Sequence, residues 1–378
     1  MKLISHRTVR GGMGHVVLLR GDGIGPEISA AAMHVLRELG ALDRVEIVEA
    51  EAGSEWWRSH GGDSYVPEET WRLLKDSDAC IKAPFTTLYT PGAPRSAVVA
   101  LRQRFGLYAN VRPIKSFRRM VGPLGPVRHI YVRENTEDLY AGIEYSVSPG
   151  VAISIRKTTY DASSRLMRRA FDVAVGLSWR RVIVVHKATV IRETDGLFVR
   201  AAHDVADKYG GAGVELQEML VDNVAQQLVL NPGQFDDSVV AGPNLYMDIL
   251  SEESAALAGG IGVVYSANMG DNYAMFEPAH GSAPSLKGRG IANPTAMILA
   301  AAAAMNYLGE RAVALAIVEG VERVIEEGRT LTPDMGGSSS TMDVARAVAR
   351  SAVDVLASGA PPGNPLIFPW VSPLPRYG

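Results

Sequence analysis

Short apolar runs recur along the chain, and helical periodicity fills the stretches between them. Positions 16–19 form one such run and lead into the glycine-rich turn Gly21-Asp22-Gly23-Ile24-Gly25. Pro26 then opens an alanine-rich stretch that keeps apolar residues at helical spacing and stops at Gly40. The pattern is strand, loop, helix. It repeats with predicted strands at 79–82, 129–132, 182–185 and 238–240, and with helical patterns such as 163–175 between them. Alternation of this kind predicts an α/β fold. The final third reads as mostly helical: Asn293 and Pro294 form a cap and first-turn proline, and 310–327 and 341–356 carry apolar residues at helical spacing, so these helices are expected to cover the sheet. Positions 296–305 are almost wholly apolar but fall short of the ~20 residues a bilayer span needs, which predicts a buried helix. One segment departs from the pattern. Positions 145–156 alternate in the β manner around Pro149-Gly150 and predict a two-stranded hairpin, an arm toward a partner subunit. From Ala360 onward, Pro362, Pro365, Pro369, Pro373 and Pro375 with Phe368 and Trp370 predict an extended strap on the surface.

Length and charge narrow the partners. A chain of 378 residues is long enough for about two domains, which need not be contiguous. Lys plus Arg is 38 against 41 Asp plus Glu, a net charge of −3, so no basic surplus recruits nucleic acid or a membrane surface. A small-molecule partner is expected. The single cysteine, Cys80, excludes an internal disulfide framework and a multi-thiolate zinc site, which fits a reducing compartment. Positions 1–15 carry Lys2, Arg7 and Arg10 without the apolar stretch of a signal peptide, and a cytoplasmic location is the expectation.

Four groups of residues carry candidate chemistry. Leu101 to Pro113, LRQRFGLYANVRP, supplies Arg102 and Arg112, and VREN supplies Arg133. Guanidinium groups grip carboxylates through paired hydrogen bonds, so three converging would suit a di- or tricarboxylate, although any one alone reads as a solvated surface charge. Asp222 lies in MLVDN, while Asp248 and Glu252 stand four apart in NLYMDILSEES and share one face if that stretch is helical. Carboxylates without thiolates or a histidine cluster suit a hard cation, Mg²⁺ or Mn²⁺; the bland reading is helix capping and solvation. Proton-transfer candidates are Tyr140 in ENTEDLYAGIE and Lys187 in VHKATV, the latter directly after an apolar strand, where α/β active sites form. His186 beside it reads as structural. The fourth group is the shaped loop EPAHGSAPSLKGRGIANP, which runs from Glu277 to Pro294 and ends at a helix start whose amides favour an anion. GDGIGPE lacks the G-x-G-x-x-G spacing of a Rossmann dinucleotide fingerprint.

Together these segments resemble the β-decarboxylating dehydrogenases, which act on isocitrate, homoisocitrate, 3-isopropylmalate and tartrate or D-malate. GDGIGPE, LYANVRP, ENTEDLYAGIE, KATVIRETDGLF, NLYMDILSEES and HGSAP…GIANP occur in the family's order from about 16 to about 356, and ENTEDLYAGIE with RSAVVALR looks most like the NAD-linked isocitrate enzymes. The resemblance implies that Ser96, Arg102, Arg112 and Arg133 bind the malate-type substrate, that Tyr140 and Lys187 move protons, and that Asp222, Asp248 and Glu252 hold Mg²⁺ or Mn²⁺. It implies NAD, with NADP possible, bound by Thr86, Thr87, Glu277, His280, Gly281, Ser282, Ala283, Ser285, Leu286 and Asn293. It further implies an isocitrate/isopropylmalate dehydrogenase-like fold with a discontinuous cofactor-side domain of 1–107 and 260–378. The smaller domain, 108–259, would carry the β arm near 145–156. A homodimer or higher oligomer is implied, in which Lys187 and Asp222 reach into the neighbouring site.

Four positions depart from the family pattern where substrate and cofactor are chosen. Val98 replaces the asparagine two residues after Ser96, and Lys187-Ala188-Thr189 lacks the amide of K-x-N. Glu252 adds a methylene to the third metal-site acid. Ser285-Leu286 replaces the aspartate and apolar residue of HGSAPD, with Lys287 and Arg289 nearby, and so removes a charge that repels a 2′-phosphate. The expected reaction is oxidative decarboxylation of a 3-substituted malate, isocitrate first, with homoisocitrate, isopropylmalate, phosphonomethylmalate and tartrate or D-malate as alternatives. A non-catalytic regulatory subunit of a hetero-oligomeric isocitrate dehydrogenase is the alternative of another class.

Overall fold

The computed structural model describes residues 13–359 and Phe368, which fall into two compact units, one of 13–101 with 262–359 and one of 102–261. In chain order the first unit begins with β1 (Gly14–Leu19), α1 (Gly25–Glu38), β2 (Val45–Ala50), α2 (Ser54–His60), α3 (Glu68–Asp76) and β3 (Ala79–Lys82). Helix α4 (Ala97–Arg104) crosses the boundary. The second unit holds β4 (Ala109–Lys115), β5 (Arg128–Glu134), the hairpin β6 (Glu144–Ser148) and β7 (Val151–Ser154), α5 (Tyr160–Gly176), β8 (Arg181–His186), α6 (Arg192–Ala206), β9 (Glu215–Leu220), α7 (Val221–Leu230), β10 (Ser238–Gly242) and α8 (Asn244–Leu257). The chain then returns to the first unit with β11 (Tyr265–Met269), β12 (Ala274–Pro278), α9 (Thr295–Tyr307), α10 (Arg311–Glu327) and α11 (Thr341–Ser358).

Each unit is built on the same plan. The first has strand order β2-β1-β3-β12-β11, parallel except for the antiparallel β12–β11 pair. The second has order β4-β5-β10-β8-β9, parallel except for the antiparallel β4–β5 pair. Inner strands such as β3 and β10 are buried at every position, the reason that they read as unbroken apolar runs. Helix α1 buries Ile28, Ala31, Ala32, Val35 and Leu36, an apolar stripe at helical spacing. Helix α9 is buried at every residue from Thr295 to Met305, as its lack of a polar face requires, and packs on β11, β12 and α10. Among the described residues no helix is long and apolar enough to cross a membrane. The predicted hairpin forms, as its own two-stranded sheet with Tyr145, Val147, Val151 and Ile153 exposed. The expected proline-rich strap lies outside the described residues apart from Phe368, which is buried.

Candidate active site

The antiparallel pairing of β4 and β5 places Asn110 opposite Arg133 and Arg112 opposite Tyr131, and α8 packs across both strands. Helical spacing on α8 brings Asn244, Asp248, Ser251 and Glu252 to the two arginines. Arg133 donates from Nε to Asn244 Oδ1 at 2.8 Å and pairs with Asp248 through Nη1. Arg112 Nη1 donates to Ser251 Oγ at 3.0 Å and to Glu252 Oε1 at 2.7 Å. The Tyr140 hydroxyl donates to the other oxygen of Asp248 at 2.5 Å, and its ring lies 5.0 Å from the Arg133 guanidinium carbon. One carboxylate thus touches both a substrate-binding candidate and a proton-transfer candidate.

The arginines are not surface charges. Their side chains are only 6% exposed for Arg112 and 4% for Arg133, whereas Glu252 and Asp248 remain open to solvent. Burial, then the neighbouring charge of Arg102, pushes the Arg133 guanidinium down to about 10, still well above neutral pH. Arg102 is itself buried, and its charge is felt by both Arg133 and Tyr140, so the three guanidiniums converge. Buried like charges of this kind are stabilised by an anion of several carboxylates. Burial, with the hydrogen bond to Asp248, holds the Tyr140 phenol above its ordinary value against the opposing pull of Arg133. Tyr140 therefore stays protonated through neutral pH.

Lys187 follows β8, and its Nζ lies 2.5 Å from Oδ1 of Asp222 in the first turn of α7. The hydrogen bond from Lys187 holds the exposed Asp222 carboxyl below its usual range. The backbone N–H of Lys187 donates to Asp195 Oδ2 at 2.6 Å. His186 beside it accepts from the Ala188 N–H at 3.2 Å and faces Glu218, a structural placement. Asp248 and Glu252 share a face of α8, while Asp222 pairs with Lys187 on α7. Among the described residues no three His, Cys, Asp or Glu side chains gather as a metal set. Within one chain, then, two carboxylates of the expected three stand together, and both are oxygen donors of the type that Mg²⁺ and Mn²⁺ take.

In the first unit, the loops after β1, β3 and β12 are tied together. Asp22 accepts the N–H groups of Ser54 at 3.0 Å, Glu55 at 2.8 Å and Thr86 at 2.7 Å. Thr86 Oγ1 lies 2.6 Å from Ser282 Oγ, and the Ile24 N–H donates to the Ser282 carbonyl at 2.9 Å. A Cβ at Gly23, whose φ is +60°, would meet that carbonyl at 2.0 Å, so GDGIGPE needs glycine here for close backbone approach. Thr87 follows Thr86 in the same loop. Glu277 is buried against Lys82 at 2.7 Å and accepts from Asn268. His280 Nδ1 lies 3.0 Å from the Gly281 carbonyl, and burial pulls its imidazole below the usual value. Asn293 accepts the Thr295 N–H at 3.0 Å and donates to Asp334, while Pro294, not Asn293, occupies the N-cap position of α9, one residue later than the sequence predicts. Ala283 has φ +38°, and Ser285 and Leu286 follow in a short helical turn, Ser285 exposed. Ser96 stands just before α4, its carbonyl accepting from Ala100.

A sequence profile of isocitrate/isopropylmalate dehydrogenases matches residues 15–348. The chain belongs to that family. It is 42% identical over 335 residues to the isocitrate/homoisocitrate dehydrogenase of Thermus thermophilus, covering 88% of this chain and 97% of that protein. It is 39% identical over 342 residues to the homoisocitrate dehydrogenase of Methanocaldococcus jannaschii, covering 87% and 95%. The crystal structure of isocitrate dehydrogenase from Methylococcus capsulatus superposes with a TM-score of 0.85 at 38% identity, covering 90% of this chain and 99% of that one. The chain is thus a β-decarboxylating dehydrogenase of the isocitrate/isopropylmalate dehydrogenase family. Asp22, Asn244, Ser251, Lys82, Glu55 and Glu27 also hold these loops and clusters together, Glu27 by accepting the Gly288 and Gly290 N–H groups, and sequence reasoning does not single them out. Asp22, Glu27, Asn244 and Ser251 lie inside motifs that the sequence singles out, GDGIGPE and NLYMDILSEES.

Proposed function

We propose that this enzyme oxidises and decarboxylates a 3-substituted malate of the isocitrate or homoisocitrate type, using NAD with Mg²⁺ or Mn²⁺ as a homodimer in the cytoplasm. The convergence of Arg102, Arg112 and Arg133 beside Asp248 and Tyr140 supports the reading most directly: buried guanidiniums for carboxylates, a carboxylate open to a cation, and a protonated phenol in one cluster. The separation of Asp222 and Lys187 from that cluster fits sites completed by a second subunit, with the hairpin as the dimer arm and the second unit, about 108–259, as the dimerisation domain. Asp248, Glu252 and a partner's Asp222 would hold the ion, and Thr86, Thr87, Glu277, His280 to Ala283, Ser285, Leu286 and Asn293 of the first unit would bind the dinucleotide. When bound, the ion would supply Lewis acidity at the substrate hydroxyl and the nicotinamide would supply the hydride acceptor. The arginines bind and orient the carboxylates. Lys187 takes the hydroxyl proton as the 2-oxo acid forms, and Tyr140 protonates the carbon that CO₂ leaves.

The test is a panel of malate derivatives assayed with NAD and NADP and with Mg²⁺ or Mn²⁺. Isocitrate or homoisocitrate is expected to give the highest kcat/KM, and EDTA to abolish turnover. Full turnover in chelator, or by a monomer at assay concentration, would overturn the metal and shared-site parts.

Cofactor choice follows from the loop at 285–289. Lys287, one of two cations, with Arg289, that the sequence places near this position, has its Nζ 2.6 Å from Glu55, which also accepts the Gly23 N–H. That engagement supports NAD over NADP, with a modest margin because Ser285 carries no charge. Ser285→Asp is expected to raise the NAD to NADP ratio of kcat/KM by about tenfold or more, since charge repulsion at a partly exposed site is worth on the order of 1–4 kcal/mol. An unchanged ratio would mean that Ser285 does not face the adenosine ribose.

A further inference from the structure

Arg156 is a charged residue that the reaction scheme leaves unused, and it sits at the junction of the elements carrying that scheme. We infer that Arg156 is a positioning residue that fixes Lys187 and Tyr140 together through one partly buried cation; the inference rests on the reading above. Arg156 follows β7, where the hairpin rejoins the second unit. Its side chain is 14% exposed and lies between Asp138, 4% exposed, and Asp195, 0% exposed. Its Nε lies 2.7 Å from Asp138 Oδ1 and its Nη1 2.9 Å from Asp195 Oδ1, as ion pairs rather than aligned hydrogen bonds. Nη1 also donates to the Tyr246 hydroxyl at 2.9 Å, and the guanidinium lies over the Tyr246 ring at 4.5 Å.

The second oxygen of each aspartate shows what the cation supports. Asp195 Oδ2 holds the backbone N–H of Lys187 at 2.6 Å. Asp138 Oδ2 holds the N–H of Leu245 at 2.9 Å, in the first turn of α8 and three residues before Asp248. Asp138 is itself in the left-handed region at φ +65°, a conformation that L residues adopt only when the surroundings impose it, and it stands two residues before Tyr140. Its N–H donates to the Lys157 carbonyl at 2.8 Å, next in sequence to Arg156. The end of β8, the turn before Tyr140 and the start of α8 are therefore joined through one guanidinium. Without it two buried carboxylates lose their counter-charge and draw toward water, taking with them the amides that they anchor.

A role confined to holding the hairpin would change folding and leave the chemistry per folded molecule alone. A positioning role predicts a loss shared by both half-reactions, since misplacement by about 1 Å costs on the order of a hundredfold. The experiment compares the full-length enzyme with Arg156→Gln and Arg156→Lys. It measures oxidation of the best hydroxy acid, decarboxylation of the matching 2-oxo acid supplied directly, KM, and melting temperature. Arg156→Gln is expected to lower kcat of both half-reactions by about a hundredfold, with KM within about threefold because the three substrate arginines remain. Arg156→Lys, able to pair with one aspartate at a time, should fall between, about tenfold down in both. Folded Arg156→Lys enzyme with both rates within about threefold of the unaltered protein would overturn the inference whatever Arg156→Gln does, as would losses that vanish when rates are expressed per folded molecule. Normal turnover by the unaltered enzyme with unaffected Arg156 variants sinks this inference alone. An unaltered enzyme that turns over no malate derivative sinks the parent reading and this one with it.

Discussion

Lys187→Met is expected to slow oxidation of the hydroxy acid by about a thousandfold, within the range that removal of a positioned general base produces, while leaving decarboxylation of the separately supplied 2-oxo acid within about tenfold of normal. Lys187 is the amine nearest Asp222, at 2.5 Å, so methionine removes both the base and that carboxylate's partner while preserving the length of the stem. Tyr140→Phe should show the reverse pattern. Its ring can keep the contact with Arg133, but the proton that the carbon receives is gone. The phenol is held above its ordinary value, so the protonated form persists to higher pH than in a free tyrosine. In the pH profile the decarboxylation half should therefore keep its proton donor to higher pH than a free tyrosine, half ionised near about pH 10, would allow. Unaltered decarboxylation by Tyr140→Phe would show that another group supplies the proton.

Asp248→Asn should be nearly as damaging, for a different reason. This carboxylate meets Arg133 and Tyr140 at once and is about a third exposed, on the side where a cation can reach it. Asparagine keeps the shape and removes the charge. A loss in kcat of at least about a hundredfold is expected, together with a raised requirement for Mg²⁺ or Mn²⁺ in titrations of activity. Stability should fall by about 1–3 kcal/mol, less than for a fully buried pair because Asp248 is partly solvated. The measurements are metal titrations and thermal melts with and without a tricarboxylate. If the metal requirement and kcat match the unaltered enzyme, Asp248 does not hold the ion.

Particular residues show what could be read from the chain alone. The inner parallel strands were legible because both of their faces are covered, leaving plain apolar runs such as Val182 to Val185. Five strands are not legible in this way, β11 and β12 among them. β2 and β9 alternate apolar with charged residues at partly exposed positions, VEIVEA and ELQEML, and β4 carries Arg112 and Pro113 in its middle. The helical face joining Asp248 to Glu252 was legible from spacing alone, because α8 is regular. The depth of Arg112 and Arg133 was not, since only the pairing of β4 with β5 beneath α8 buries them. The same holds for Asp138, Arg156 and Asp195, whose meeting depends on three separated segments and leaves no periodic trace.

Pairing across long stretches of chain has a consequence for biosynthesis. Ala79 of β3 lies beside Ala274 of β12, and everything between β4 and α8 belongs to the other unit. On the ribosome, the first unit emerges with β1, β2 and β3 but without the two strands, β11 and β12, and the three closing helices that complete its core. The second unit is continuous and can collapse first. The opening segment must then wait, its β3 edge unpaired, until the last third of the chain arrives, and loop-closure entropy makes that late joining the slow event.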